Sequence, residues 1–355
     1  MGKFKSIGIV KLSALGDVVH ALPVLVTLRK NYPKAKISWI VGEGSKDILV
    51  GNKYLDNIIV IDTHRWRKEI KELNGFFNVV CEVFRFIREI RREKFDIVFD
   101  IQGLVKSGIV TYLTGTRLRI GFSKESCRER LNILFTNKRI HPQKDDVHIT
   151  DQYLSLIRPY VKKEYLRPVG IYIDKGVNDS LKNFLRQKKP DGNHPLIVIV
   201  PGAGWETKIL DAKKISSLAR IIIKEYNAFV VFTGSYQERL ILELITKELQ
   251  ELRESWNTFS ASTLKQLLAL LKKATLVIGG DTGPIHMAAA LGTATVSYYG
   301  PSYAPRSAPR GEKHFYVQSA VECSPCFKRK CKGAKCLEMI SADDVLEKVG
   351  LVFNP

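Results

Sequence analysis

Nowhere in this sequence do eighteen or more apolar residues follow one another, so no segment reads as a helix long enough to span a bilayer. The apolar run behind Lys3 and Lys5 is broken by Asp17 and His20, and no small-residue cleavage site follows it. It therefore reads as a buried first strand rather than a secretory signal. Cysteine is sparse outside one cluster: Cys81 and Cys127 stand alone, as expected of reduced thiols in a cytoplasmic protein. Acidic residues are the most telling shortage, with 36 Asp+Glu against 56 Lys+Arg and a net charge of +20. A field of that sign favours anionic partners: nucleic acid, an anionic membrane surface or a phosphorylated substrate. The chain also lacks a helix-turn-helix pattern and an RNA-binding aromatic signature. Nucleic-acid binding, suggested by the charge and by a Cys/Lys-rich stretch at 323–336, is thus the weaker reading, and no nucleic acid is expected as partner.

What is present describes a soluble enzyme, with 45% apolar and 26% charged residues over 355 positions. That length suits two cores better than one. The basic excess is uneven: residues 1–175 carry 32 Lys+Arg against 19 Asp+Glu (+13), and the rest carry 24 against 17 (+7).

Short β-branched runs alternate with amphipathic stretches. Strands are predicted at Ser6–Lys11, Lys36–Val41, Asn57–Ile61 and Phe95–Ile101, with helices at Asp17–Tyr32 and Asn78–Lys94. Near-continuous apolar strands separated by helices indicate a parallel sheet covered on both faces, hence a doubly wound α/β domain. Residues 175–194 end in a Pro-Asp-Gly turn signal and are predicted to bury little. The pattern then restarts: Leu196–Val200, Ala228–Thr233, Leu276–Gly279 and Ala294–Tyr299 each run into a glycine-bearing loop. Ligands of open α/β sheets bind beyond the carboxyl ends of such strands. The expected architecture is two Rossmann-like domains, 1–175 and 190–340, facing across a cleft, with a C-terminal helix or tail at 341–355.

Three motifs carry chemistry. Lys11–Pro23 (KLSALGDVVHALP) leaves the first strand and opens the first helix, with Gly16 permitting a tight turn. Asp17 there is either a helix cap or a carboxylate held to take a proton from an acceptor hydroxyl. Val200–Lys208 (VPGAGWETK) is a glycine-rich turn where Gly202 lets a diphosphate approach the backbone, while Thr207 and Lys208 offer a hydroxyl and a charge. It lacks the ending of a Walker A loop. Gly279–Gly292 (GGDTGPIHMAAALG) places Thr282 and His286 at a helix N-terminus, which suits an anion.

Taken in order, these motifs resemble glycosyltransferase family nine, the ADP-heptose:lipopolysaccharide heptosyltransferases, over about Ile7 to Val345. HRWRK (64–68), DIQGLVKS (100–107) and SCRERL (126–131) are similar to the heptosyltransferase I branch, which adds the first heptose to Kdo of the inner core. The resemblance implies two-domain GT-B enzymes that invert the anomeric centre, with Asp17 as base and catalytic support from Lys208 and His286. It implies donor contacts from Gly202, Thr207, Lys208, Glu238, Ser262, Thr263, Leu264, Asp281, Thr282, Gly283 and His286. Acceptor contacts are implied for Ser13, Gly16, His64, Arg65, Arg67, Lys68, Gln102, Lys106 and Arg128. The first domain would bind a Kdo-lipid A acceptor and the second an ADP-sugar donor. The enzyme would be a monomer in the cytoplasm, in peripheral contact with the inner membrane. Heptosyltransferase II, or a family member using another sugar or acceptor, is the alternative.

The sequence departs from that pattern at His64, where the acceptor element begins with arginine. Four thiols, Cys323, Cys326, Cys331 and Cys336, follow a C-x2-C-x4-C-x4-C spacing. Structural zinc, an iron–sulfur cluster or disulfides are the readings of that cluster. No catalytic metal or other cofactor is expected to be required, with ADP-heptose as co-substrate, because fixed positive charge can stabilise a departing diphosphate.

Overall fold

The computed structural model describes residues 4–71, 75–167, 170–189, 193–331, 333 and 335–353. The chain divides into two compact units, Met1–Tyr172 and Ile173–Pro355.

The first unit begins with β1 (Ser6–Val10), α1 (Leu15–Asn31), β2 (Lys36–Gly42) and β3 (Asn57–Ile61). Next come α2 (Thr63–Glu69), α3 (Gly75–Arg92), β4 (Ile97–Asp100) and α4 (Val105–Leu113). It closes with β5 (Arg119–Phe122), β6 (Lys138–Ile140) and α5 (Ile149–Ser155). The six strands are all parallel, in the order β3-β2-β1-β4-β5-β6. β1 and β4 are buried along their whole length, as central strands covered on both faces must be. Register pairs Val10 with both Ile40 and Asp100, so the loops leaving β1 and β4 emerge side by side.

The second unit opens with α6 (Lys175–Lys188), β7 (Leu196–Val200), α7 (Ala212–Tyr226) and β8 (Phe229–Thr233). It continues through α8 (Arg239–Lys247), β9 (Trp256–Phe259), α9 (Leu264–Lys273), β10 (Leu276–Gly280) and α10 (Gly283–Ala290). β11 (Ala294–Tyr299), α11 (Ala304–Ser307), β12 (His314–Gln318), α12 (Lys335–Glu338) and α13 (Ala342–Phe353) complete it. The sheet is again parallel, ordered β12-β11-β10-β7-β8-β9, with Val200 opposite Gly279. α7 is capped at its start by Asp211, whose carboxylate accepts from the Lys213 amide at 2.9 Å, and at its end by Asn227 at φ 49°. Asn is among the few residues that take this left-handed conformation cheaply.

Residues 175–188 form α6, a helix that the composition did not mark; it buries only Leu181 and Leu185, so the segment buries little as expected, and it sets Phe184 edge-on to Phe259 at 4.9 Å. The Pro-Asp-Gly turn at 190–192 lies outside the described residues. The C-terminal stretch forms α13, whose Val345 and Val349 join the core with Ile222, Phe232 and Val296. Each unit has the doubly wound parallel sheet expected from the sequence, and among the described residues no helix is long and apolar enough to cross a membrane.

Candidate active site

Chain order reverses direction across the first sheet between β1 and β4, a topological switch point where loops part and leave a crevice. The loop after β1 lies there. The Leu12 amide donates to Gln102 Oε1 at 2.6 Å, and Gln102 Nε2 and Lys106 Nζ both donate to Ser13 Oγ at 3.4 Å. α1 begins at Leu15, two residues before the predicted start, so Asp17 is its third residue and Ala14 precedes the helix. The Asp17 carboxylate accepts from the Ala14 amide at 3.4 Å, reaching back as an acid in the first turn does. The same oxygen, Oδ2, lies 3.4 Å from Arg128 and 3.6 Å from Lys11 Nζ, with the side chain 28% exposed. Beneath it Asp100 is fully buried. Burial pushes its carboxyl up in pKa, against hydrogen bonds from Asn132, Ser107 and the amides of Gln102 and Gly103. Asp100 thus anchors the neighbouring loop. Ser13, Gly16, Asp17, Gln102, Lys106 and Arg128 gather in this one region.

His64, Arg65, Arg67 and Lys68 are placed differently. They sit on α2, after the edge strand β3, two strand positions from β1. Arg65 is engaged by Asp62, Glu69 and Glu82, and Trp66 donates to Glu82 at 2.8 Å while packing edge-on against Phe86. Trp66 is therefore an anchor of α2 on α3 as well as an aromatic among charges. A cavity of about 470 Å³ opens beside it.

In the second sheet the order reverses between β7 and β10, and the two glycine-rich motifs leave those strands. Lys208 Nζ meets Asp281 Oδ2 at 2.5 Å and the Asp281 carbonyl at 3.2 Å. His286 Nε2 and Ser307 Oγ lie 3.2 and 3.3 Å from Asp281 Oδ1. Burial alone would raise the Asp281 pKa, but the hydrogen bond and charge of His286 and the charge of Lys208 hold it well below the usual carboxylate range. Thr282 sits at the start of α10, just before Gly283. Its buried Oγ1 has no hydrogen-bond partner among the described residues. An orphaned hydroxyl beside exposed helix amides is suited to an incoming anion. Glu238, at the end of the loop after β8, folds back on Gly202. A Cβ there would come within 1.5 Å of Glu238 Oε1, so only glycine leaves the carboxylate room. Ser262 and Thr263 serve the start of α9: Thr263 accepts from the Gln266 amide at 3.3 Å, and Ser262 donates to Gln266 Oε1. Leu264 is half-buried on the first turn of that helix.

Residues 83–337 match glycosyltransferase family 9 (heptosyltransferase). The chain belongs to that family. Among relatives of this glycosyltransferase is lipopolysaccharide heptosyltransferase 1 of Campylobacter coli, 27% identical with 98% of this chain and 99% of the relative covered. The protein of that name from Pseudomonas aeruginosa is also 27% identical, with 91% and 86% covered. E. coli heptosyltransferase WaaC with ADP superposes at a TM-score of 0.76 and 21% identity, over 98% and 99% of the two chains.

In this family-nine enzyme the glycine-rich turn is also held by contacts that its motif does not announce. Trp205 carries Lys208 at 4.2 Å and Arg329 at 5.0 Å from its ring centre, and Thr207 donates to the Lys328 carbonyl at 2.8 Å. The segment after the first cysteines thereby braces the glycine-rich turn. An aromatic inside such a turn was the available signal. Of the four clustered cysteines, Cys323, Cys326 and Cys336 are free thiols, and among the described residues no three His, Cys, Asp or Glu side chains are placed to hold a metal ion. Cys336 is drawn into the core with Leu337, while Cys323 and Cys331 face outward.

Proposed function

We propose that this glycosyltransferase moves heptose from ADP-heptose to a Kdo residue of the lipopolysaccharide inner core, with inversion. The observation that carries the reading is Asp17: a partly exposed carboxylate at the switch point of its sheet, between Lys11 and Arg128. A single displacement needs one base on the attacking side. In the step, the acceptor oxygen bonds to the anomeric carbon as the bond to the diphosphate oxygen breaks. The hydroxyl proton passes to Asp17 and ADP leaves. Lys208, Thr282, His286 and the amides opening α10 take the departing charge, with Asp281 holding Lys208 and His286 in place. No metal is assigned a role. Glu238 would read the ribose hydroxyls, and Ser262–Leu264 would back the base. The first unit binds the acceptor and the second the donor.

The relatives' names and the Arg65–Lys68 element support the first-heptose branch. With Arg65 engaged by carboxylates, Arg67 and Lys68 remain the exposed cations there for Kdo carboxylates and lipid A phosphates. Transfer of heptose to Kdo-lipid A, undiminished by EDTA, is the expected result. Transfer only to an acceptor that already bears the first heptose would contradict it.

A further inference from the structure

The family motif that supplies Asp17 begins with a lysine that the proposed mechanism does not use. Lys11 is completely buried, one of the largest side chains in the molecule with no exposure at all. A buried ammonium is costly, and an apolar side chain of similar volume would fill the space without that cost. Its backbone is pinned. The Lys11 amide donates to the Ile40 carbonyl at 3.2 Å, and its carbonyl accepts from Trp39 Nε1 at 3.2 Å. The side chain is therefore aimed. Its Nζ donates to the Tyr153 hydroxyl at 2.8 Å, rides 4.6 Å from the centre of that ring, and lies 3.6 Å from Asp17 Oδ2.

Resting on the reading of Asp17 as base, we infer that Lys11 is a positioning residue: it fixes and ionises the Asp17 carboxylate from below, with Tyr153 holding the ammonium in place. Arg128 approaches the same oxygen from the solvent side, so Oδ2 is gripped by two cations and the carboxylate cannot rotate freely. Desolvation pulls Lys11 down to about 8, against the attraction of Asp17 and Asp100 and reinforced by Arg128. These three and Tyr153 are the charged and titratable groups shown facing it, from α1, β4, the loop after β5 and α5. Lys11 is thus charged at neutral pH and loses that charge as pH rises past about 8.

The test is the pH profile of kcat for heptose transfer to Kdo-lipid A. The parent should show an acid limb set by Asp17 and an alkaline limb near the Lys11 value. In Lys11→Met the acid limb should rise by on the order of one to two pH units, the effect of removing an opposite charge at this range, and the alkaline limb should vanish. Tyr153→Phe keeps the charge but removes its acceptor, so the alkaline limb should move down while the acid limb stays. Retained ADP binding and thermal unfolding certify that each variant is folded. A Lys11→Met profile superimposable on the parent's overturns the inference, as does an unmoved alkaline limb in Tyr153→Phe should Lys11→Met fail to fold. Asp17→Asn is run beside them. Full activity in that variant removes the base itself, whereas an inactive Asp17→Asn with unmoved limbs removes only Lys11.

Discussion

At the scale of single residues, both candidate centres follow one physical pattern: a carboxylate held between two cations in partly buried surroundings. In the second unit the carboxylate is structural, since Asp281 holds Lys208 and His286. In the first it is the proposed reactive group. Lys11 adds a stability signature. Its folded pKa of about 8 lies below the ordinary 10.5, so between those values the unfolded chain binds more protons than the folded one. Folding stability from this group therefore climbs as pH rises from 8 towards 10.5, by on the order of 3 kcal/mol at full range. Urea unfolding of the parent at pH 8 and pH 10, against Lys11→Met, should show that rise in the parent alone; parallel curves would contradict the buried charge. Asp17, Lys208 and His286 stood out as candidates because each lies in a glycine-bearing segment that follows a strand. Lys11, Tyr153 and Arg329 were not, because burial of a lysine and contacts across 142 residues leave no local pattern.

At the scale of elements, long β-branched runs read well. Asn57–Ile61, Leu196–Val200 and Ala294–Tyr299 form strands over the predicted residues. β5, β6, β9 and β12 were not predicted. Arg119–Phe122, Lys138–Ile140 and Trp256–Phe259 are three or four residues long; β6, β9 and β12 each close a sheet edge, and β5 adjoins β6. A polar edge strand is specified by its neighbour's open ladder more than by its own pattern. α6 was missed for a related reason: only Leu181 and Leu185 of its fourteen residues are buried, so little apolar period marks it. α13 packs firmly, with Tyr226 and Phe353 rings 4.7 Å apart. Val349→Asp should lower unfolding stability by about 3 kcal/mol or more, as an unpaired charge enters the core. A loss within about 0.5 kcal/mol would mean the helix is not part of the second core.

At the scale of the whole molecule, the proposed lipid-borne, anionic acceptor would give the +20 charge a use. A positive field would concentrate an enzyme with such an acceptor at an anionic bilayer. Sedimentation with vesicles containing anionic lipid should capture the protein at low salt and release it by about 0.5 M salt, where the Debye length falls to a few ångströms. Equal binding to neutral vesicles would contradict an electrostatic contact. The account as a whole stands on one carboxylate. Heptose transfer from ADP-heptose to Kdo-lipid A by Asp17→Asn, in protein that still binds ADP, tests it most directly. The account predicts a loss of kcat of at least a hundredfold, within the range for removing a general base; a kcat within a few-fold of the parent's would contradict it.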